Sequence, residues 1–335
     1  MAQILLPAPS PAPRVLSTPR RALRIAAGLA CVPYLSLKIA WIFGSHIGIP
    51  AGSSLLAHRT TMIFANGLTV LMDATVLVLV LLLTRPWGLR TPAWLLTLPM
   101  WIASGLLVPI MAGFPLQLLV KALGGSVEGS SDGGGGKGSE EFLHDWVFVV
   151  VYTGFIVQGI ALGSLFVLYA RDRWGHLWRG RTGDLARSGA RGPRVAAACA
   201  ALLALVPVAL HVLWAAGSDA GLNDARAQER TTSFAVLESL NVVYLGAAVA
   251  GALLLTFRWL PALPVKVPLA LAWLGSGAVG CWGGWLLLAL LVGGEDLTQR
   301  LTGPMLLTYS VHMIVGLLVA ALGARFLKER AGSTT

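Results

Sequence analysis

Charge is what this chain has least of. Asp, Glu, Lys and Arg make up 12% of its 335 residues against 56% hydrophobic residues, and the mean hydropathy is +0.74. A soluble chain of this length could not hide so much apolar surface, so lipid must be its solvent. Cysteine is scarce as well: Cys31, Cys199 and Cys281 all sit inside apolar runs. That excludes a disulfide framework and any metal-type cysteine spacing. The chain also lacks a His-Glu-x-x-His pair, a phosphate loop, a Gly-x-Ser-x-Gly elbow and a soluble catalytic domain, so no cofactor and no metal site are expected.

What is present is a series of apolar runs, near 24–44, 62–84, 93–114, 145–170, 195–217, 233–256, 268–292 and 303–325. Each is long enough to cross a bilayer. The expected fold is an all-α polytopic membrane protein of eight transmembrane helices. Residues 1–23 read as a disordered basic tail, 24–170 as a first four-helix half, 171–194 as a polybasic loop, 195–325 as a second half and 326–335 as a tail. The N-terminus resembles a signal peptide. However, the run after it lacks a small-x-small cleavage site and carries Lys38, so it reads as an uncleaved helix. The glycine-rich acidic stretch 124–141 reads as a flexible loop, and 115–123 as a segment along the membrane interface.

A net charge of +10 suggests nucleic acid until the charges are placed. Of the 25 basic residues, 18 fall in the tails and the loops after the second, fourth and sixth runs, with three acids; the opposite loops hold six basic and ten acidic residues. Positive charge in short loops sets membrane orientation. The expectation is therefore a cell-membrane protein with both termini cytoplasmic and no nucleic-acid partner. The segment 171–194, bounded by Arg171 and Arg194 and carrying Trp174 and Trp178, reads as a contact for anionic lipid headgroups.

The chain also resembles itself. Trp-x-x-Gly-Ser-x-x-Gly occurs at 41–48 and 214–221, each with an ionisable residue (Lys38, His211) three places before the Trp. Arg59-Thr60-Thr61 matches Arg230-Thr231-Thr232, and Leu83-Thr84 with Trp87 matches Leu255-Thr256 with Trp259. Pro92 matches Pro268, and Tyr152 with Gly159 matches Tyr309 with Gly316. The matches keep their order across four runs, which points to two parallel four-helix repeats related by an axis along the membrane normal, with a shared site between them. Ser276, Gly280 and Gly284, and Gly159 with Gly163, form small-xxx-small ladders suited to close helix packing.

Ionisable groups inside a bilayer cost about 2.5–3.5 kcal/mol each on insertion scales, so they need partners or water. The chain places five: Lys38, Asp73, His211, Glu238 and His312, accompanied by Asn66, Tyr152, Gln158, Asn241, Tyr309 and Ser310. At about 1.5 Å rise per residue, all five lie in the outer half or at the midplane, above inner halves bare of charge. Asn66, Thr69 and Asp73 share a helix face; so do Glu238 and Asn241, Tyr309 and His312, and Lys38, Trp41 and Ser45. Lys38 with Asp73 is a natural ion pair of the first half, and His211 with Glu238, joined by His312, is its counterpart in the second. A His beside a carboxylate suits proton traffic at neutral pH.

This constellation (Lys38, Asn66, Asp73, His211, Glu238, Asn241, Tyr309 and His312) reads as an outward-facing polar pocket that binds or transports a small molecule or lipid, with proton linkage. A membrane-embedded enzyme on a lipid or hydrophobic metabolite, with Asp73 or Glu238 as acid or base, is the second reading. An accessory or sensory subunit is the third. Metal ligation by His211, Glu238 and His312, aided by His46 and His58 of the loops, has no supporting spacing.

Overall fold

The computed structural model describes residues 17–51, 53, 56, 59–126, 143–185, 191–228, 230–292 and 301–332. The proline-rich tail before residue 17, His58 and most of the 124–141 loop lie outside the described residues. The chain is 84% helical, and among the described residues the sole β contact is an isolated bridge between Arg181 and Pro264. In order the helices are α1 Thr18–Ile42, α2 Arg59–Thr84, α3 Ala93–Ala122, α4 Asp145–Trp174, α5 Arg191–Ala215, a short α6 Asp224–Gln228, α7 Thr232–Phe257, α8 Lys266–Val292 and α9 Gly303–Gly332. All but α6 are long and apolar enough to cross a membrane. In lipid each helix satisfies its backbone internally, which is why long apolar runs resolve into helices.

Several helices outrun their apolar runs. Thr18 and Gly332 extend α1 and α9 into the tails, and α3 continues through Pro115 to Ala122. Residues 115–122 thus continue α3 and are not a separate segment. Pro99, Pro109 and Pro115 all sit inside α3. Near the second of them Trp282 Nε1 of α8 donates to Leu106 O at 3.2 Å, the kind of neighbouring-helix bond that lets proline stand in a spanning helix.

Helices α1 and α5 end in the same way. Gly44 and Gly48 take positive φ (90° and 77°), as do Gly217 and Gly221 (106° and 79°), a conformation that costs residues with a Cβ. The Trp41 indole N–H donates to Ile47 O at 2.7 Å and that of Trp214 to Ala220 O at 2.9 Å. Ser45 Oγ accepts from Ile47 N, and Ser218 Oγ from Ala220 N. These hydrogen bonds fold the chain back over each helix end and hold Lys38 and His211 one turn below it. We call this the stop end of the bundle.

The opposite, basic end is tied by backbone and arginine contacts. Thr182 N donates to Leu263 O and Gly183 N to Pro261 O, both at 2.9 Å. Arg330 Nε donates to Leu177 O at 3.0 Å and Arg173 Nη2 to Thr91 O at 2.8 Å, while the Arg173 guanidinium stacks on Trp174. Arg20 of α1 pairs with Asp172 of α4. The 171–194 segment is therefore not a uniformly free polybasic stretch: Arg173 is spent inside the protein, whereas Arg171, Arg179, Arg181, Arg191 and Arg194 are exposed.

Two apolar cores fill the basic half. One gathers α1 to α4 around Leu79, Leu96, Met100, Leu162 and Leu165. The other gathers α5, α7, α8 and α9 around Ala200, Leu245, Ala248, Val279 and Val315. Between them α3 crosses α8, and the contact reads alike from both sides. Trp101 Nε1 donates to Ser276 Oγ and Trp273 Nε1 to Ser104 Oγ, each at 3.0 Å. A Cβ on Gly105 would lie 2.4 Å from Gly277 O. A motif Trp-x-x-Ser-Gly at 101–105 and 273–277 encodes this crossing. Trp101→Phe and Trp273→Phe should each cost about 0.6 kcal/mol, the mean for interhelical hydrogen bonds in lipid. Unfolding in mixed micelles would measure it, and two neutral variants would mean that packing alone holds the crossing.

Among the small-residue ladders, Ser276 and Gly280 meet Gly316 backbone to backbone, and a Cβ on Gly159 would run into the Met111 thioether, whereas Gly163 has no atom within 4 Å of its Cβ position.

Candidate functional site

The intramembrane polar groups gather in two clusters, one among α1, α2 and α4 and one among α5, α7 and α9, and not between the halves. In the second cluster, α5, α7 and α9 bring together His211, Glu238 and His312, which are 1%, 9% and 3% exposed. His211 Nδ1 hydrogen-bonds Glu238 Oε2, and His211 Nε2 lies 3.0 Å from His312 Nε2. The Trp214 indole meets the His211 ring edge-on at 5.3 Å between centroids. His312 is set by the approach of α9 to α8: a Cβ on Gly283 would lie 2.9 Å from His312 Cβ. Tyr309, one turn away, is buried with Trp214, Phe234 and Met305. Asn241 is half-buried and turns its amide to Leu237 O of its own helix, at 3.3 Å.

This row has a definite proton chemistry. Two imidazole nitrogens at 3.0 Å are hydrogen-bonded only if one of them carries the proton, so whichever ring holds it donates to the other. Glu238 accepts at the far nitrogen of His211. A proton arriving at either end can therefore be passed along by exchanging donor and acceptor roles, with little movement of heavy atoms.

The first cluster is built differently. The Lys38 ammonium lies over the rings of Tyr34 and Trp41, 5.0 and 4.9 Å from their centroids, where ring quadrupoles supply what water would otherwise give. Asp73 is 4% exposed; its Oδ1 accepts from Gln158 Nε2 at 3.3 Å, and its Oδ2 is buried without a hydrogen-bond partner. Asn66 is buried two turns from Asp73 on the same helix. The expected ion pair does not form: no contact within 4.0 Å joins Lys38 to Asp73 among the described residues. The rings hold the ammonium in α1, while the carboxylate turns to α4. Tyr34 and Trp41 stand at −4 and +3 from Lys38, on one helix face legible in the sequence; Gln158 is legible as a polar group inside an apolar run, but nothing local names Asp73 as its partner.

Nor do these polar groups line the groove found between the halves among the described residues. That groove, of about 320 Å³, follows the α3–α7 seam; Leu116, Thr232, Ala235, Val236, Ser239, Leu240 and Val243 line it, and none of the eight candidates does. The charged groups are too costly to leave facing lipid there and are packed inside each half. His46 is exposed on its loop, and His58 is outside the described residues. The described residues include no group of three His, Cys, Asp or Glu able to hold a metal ion.

Eight apolar helices around buried polar clusters define a multi-pass membrane protein. The chain matches no protein-family model, no curated protein and no solved structure.

Proposed function

We propose that this protein is a proton-linked membrane carrier for a small molecule or lipid, with Glu238, His211 and His312 as the proton relay. The observation that carries this reading is the continuous row from Glu238 through His211 to His312, buried where an ionisable group has no packing value of its own. The uneven distribution of basic residues supports an orientation with both termini cytoplasmic and the stop end outside. The relay then loads from the outside, because 195–210, 242–255 and 315–322 carry no Asp, Glu, His, Lys or Arg toward the basic end. The matching helix stops and the mirrored Trp–Ser crossing support a duplicated four-helix unit, and the crossing of α3 over α8 is where two such halves would rock.

Asp73 supports a second reading, an enzyme acting on a lipid from the same side, since a buried carboxylate oxygen without a partner is what a general base offers before substrate arrives. One experiment separates the two. Purified protein in liposomes with an internal pH dye is challenged with libraries of organic acids, amines and amphiphiles, and the lipids are then analysed by mass spectrometry. The carrier predicts solute-dependent proton flux that Glu238→Gln reduces to the level of empty vesicles. Altered lipids that stay unaltered with Asp73→Asn would establish the enzyme instead. No flux from folded wild-type protein across the library rejects the carrier.

A further inference from the structure

A second site lies at the opposite end of the molecule, where α5 begins and α7 and α9 end. Arg194, Arg258 and Arg325 wall a groove there, and Leu255, Leu322 and Phe326 supply its apolar sides. The single acid on the groove is Glu329, which accepts from Arg325 Nε at 2.8 Å. Arg194 and Arg325 are exposed against that one carboxylate, which leaves net positive charge facing a space between three helices.

Arg258 is placed there by an unusual backbone. It is the one non-glycine residue with positive φ (58°) among the described residues, and it caps α7 by donating its N–H to Leu254 O. Glycine is the common choice at such a cap, so an arginine that bears the strain points to use of its side chain. Its Nη1 donates to Leu185 O at 3.0 Å, which holds the guanidinium against the groove. Arg194 and Arg325 are exposed beside it.

We propose that this groove binds the phosphate headgroup of an anionic phospholipid. A phosphodiester takes paired N–H donors from guanidinium groups better than any neutral headgroup does. Basic pockets between transmembrane helices at a membrane surface favour such lipids. The apolar sides select a lipid over free phosphate. One turn from Leu322 on the same face of α9, Leu318 is half-buried, and Val195 is exposed beside Arg194 on α5, apolar surface against which an acyl chain can lie. The site does not depend on what the histidine relay does, and its failure would leave that reading untouched.

Native mass spectrometry of the full-length protein, released from detergent with phosphatidylglycerol, phosphatidylcholine or inorganic phosphate, tests it. Phosphatidylglycerol should stay bound under activation that strips phosphatidylcholine. Arg194→Gln and Arg325→Gln should each weaken its retention about 5-fold, the worth of one basic residue near an anionic surface. Arg21→Gln, exposed on α1, should not change it. Equal retention of both lipids, or unchanged retention in the two variants, overturns the proposal. Displacement of phosphatidylglycerol by millimolar inorganic phosphate would also overturn it, since the groove would then read phosphate without the lipid.

Discussion

Leucine at Gly316 is expected to push α9 away from α8 and to leave little folded protein. A Cβ there would lie 2.5 Å from Gly280 Cα and 2.7 Å from both Gly280 N and Ser276 O. All three atoms are backbone, so no rotamer change can make room. Overpacking a close contact costs about 1–3 kcal/mol, and here a whole helix must shift. Because His312 is one turn from Gly316 on the same face, the shift also pulls the imidazole from His211. Gly323→Leu on the same helix is the control: its Cβ position has no atom within 4 Å. The monodisperse fraction on size exclusion and the unfolding midpoint should fall steeply for the first variant and stay near wild type for the second. Equal behaviour of the two would mean that α8 and α9 are not in the contact described.

Removing one partner of the buried pair should cost far more than removing both. His211→Leu leaves Glu238 without its hydrogen-bonding counterpart in a region of low dielectric, and breaking a buried pair in this way typically destabilises by about 3–5 kcal/mol. Combining it with Glu238→Leu removes the stranded carboxylate, so the double variant should recover most of that loss while still lacking proton-linked activity. Unfolding of the wild type, both single variants and the double variant in mixed micelles gives the coupling directly. If the double variant is as unstable as the sum of the singles, Glu238 and His211 are not coupled, and the relay loses its first link.

Much of this architecture is legible in the chain. The glycine, serine and tryptophan of the two helix stops predict where α1 and α5 end, because positive φ and a helix-terminating hydrogen bond are local demands. The position of Lys38 and His211 one turn below those stops follows from helical rise alone. The partnerships across helices follow from nothing local. Lys38 and Asp73 are matched in charge and similar in depth, yet the rings of Tyr34 and Trp41 take the ammonium while Gln158 takes the carboxylate. Trp101 and Trp273 open the same five-residue motif, although only the crossing of α3 and α8 shows that each indole reaches the other helix's serine.

By itself the sequence determined the solvent and the secondary structure. A chain with 12% charged residues in eight long apolar runs must live in lipid, and there the backbone has to satisfy itself within each segment. Tertiary structure alone decided which buried polar groups meet. That depends on how each helix is rotated and how closely its glycines let it approach a neighbour, and both are set by packing among residues far apart in the chain. The result is a hydrogen-bonded row of a glutamate and two histidines in one half, and in the other a caged lysine separated from an aspartate.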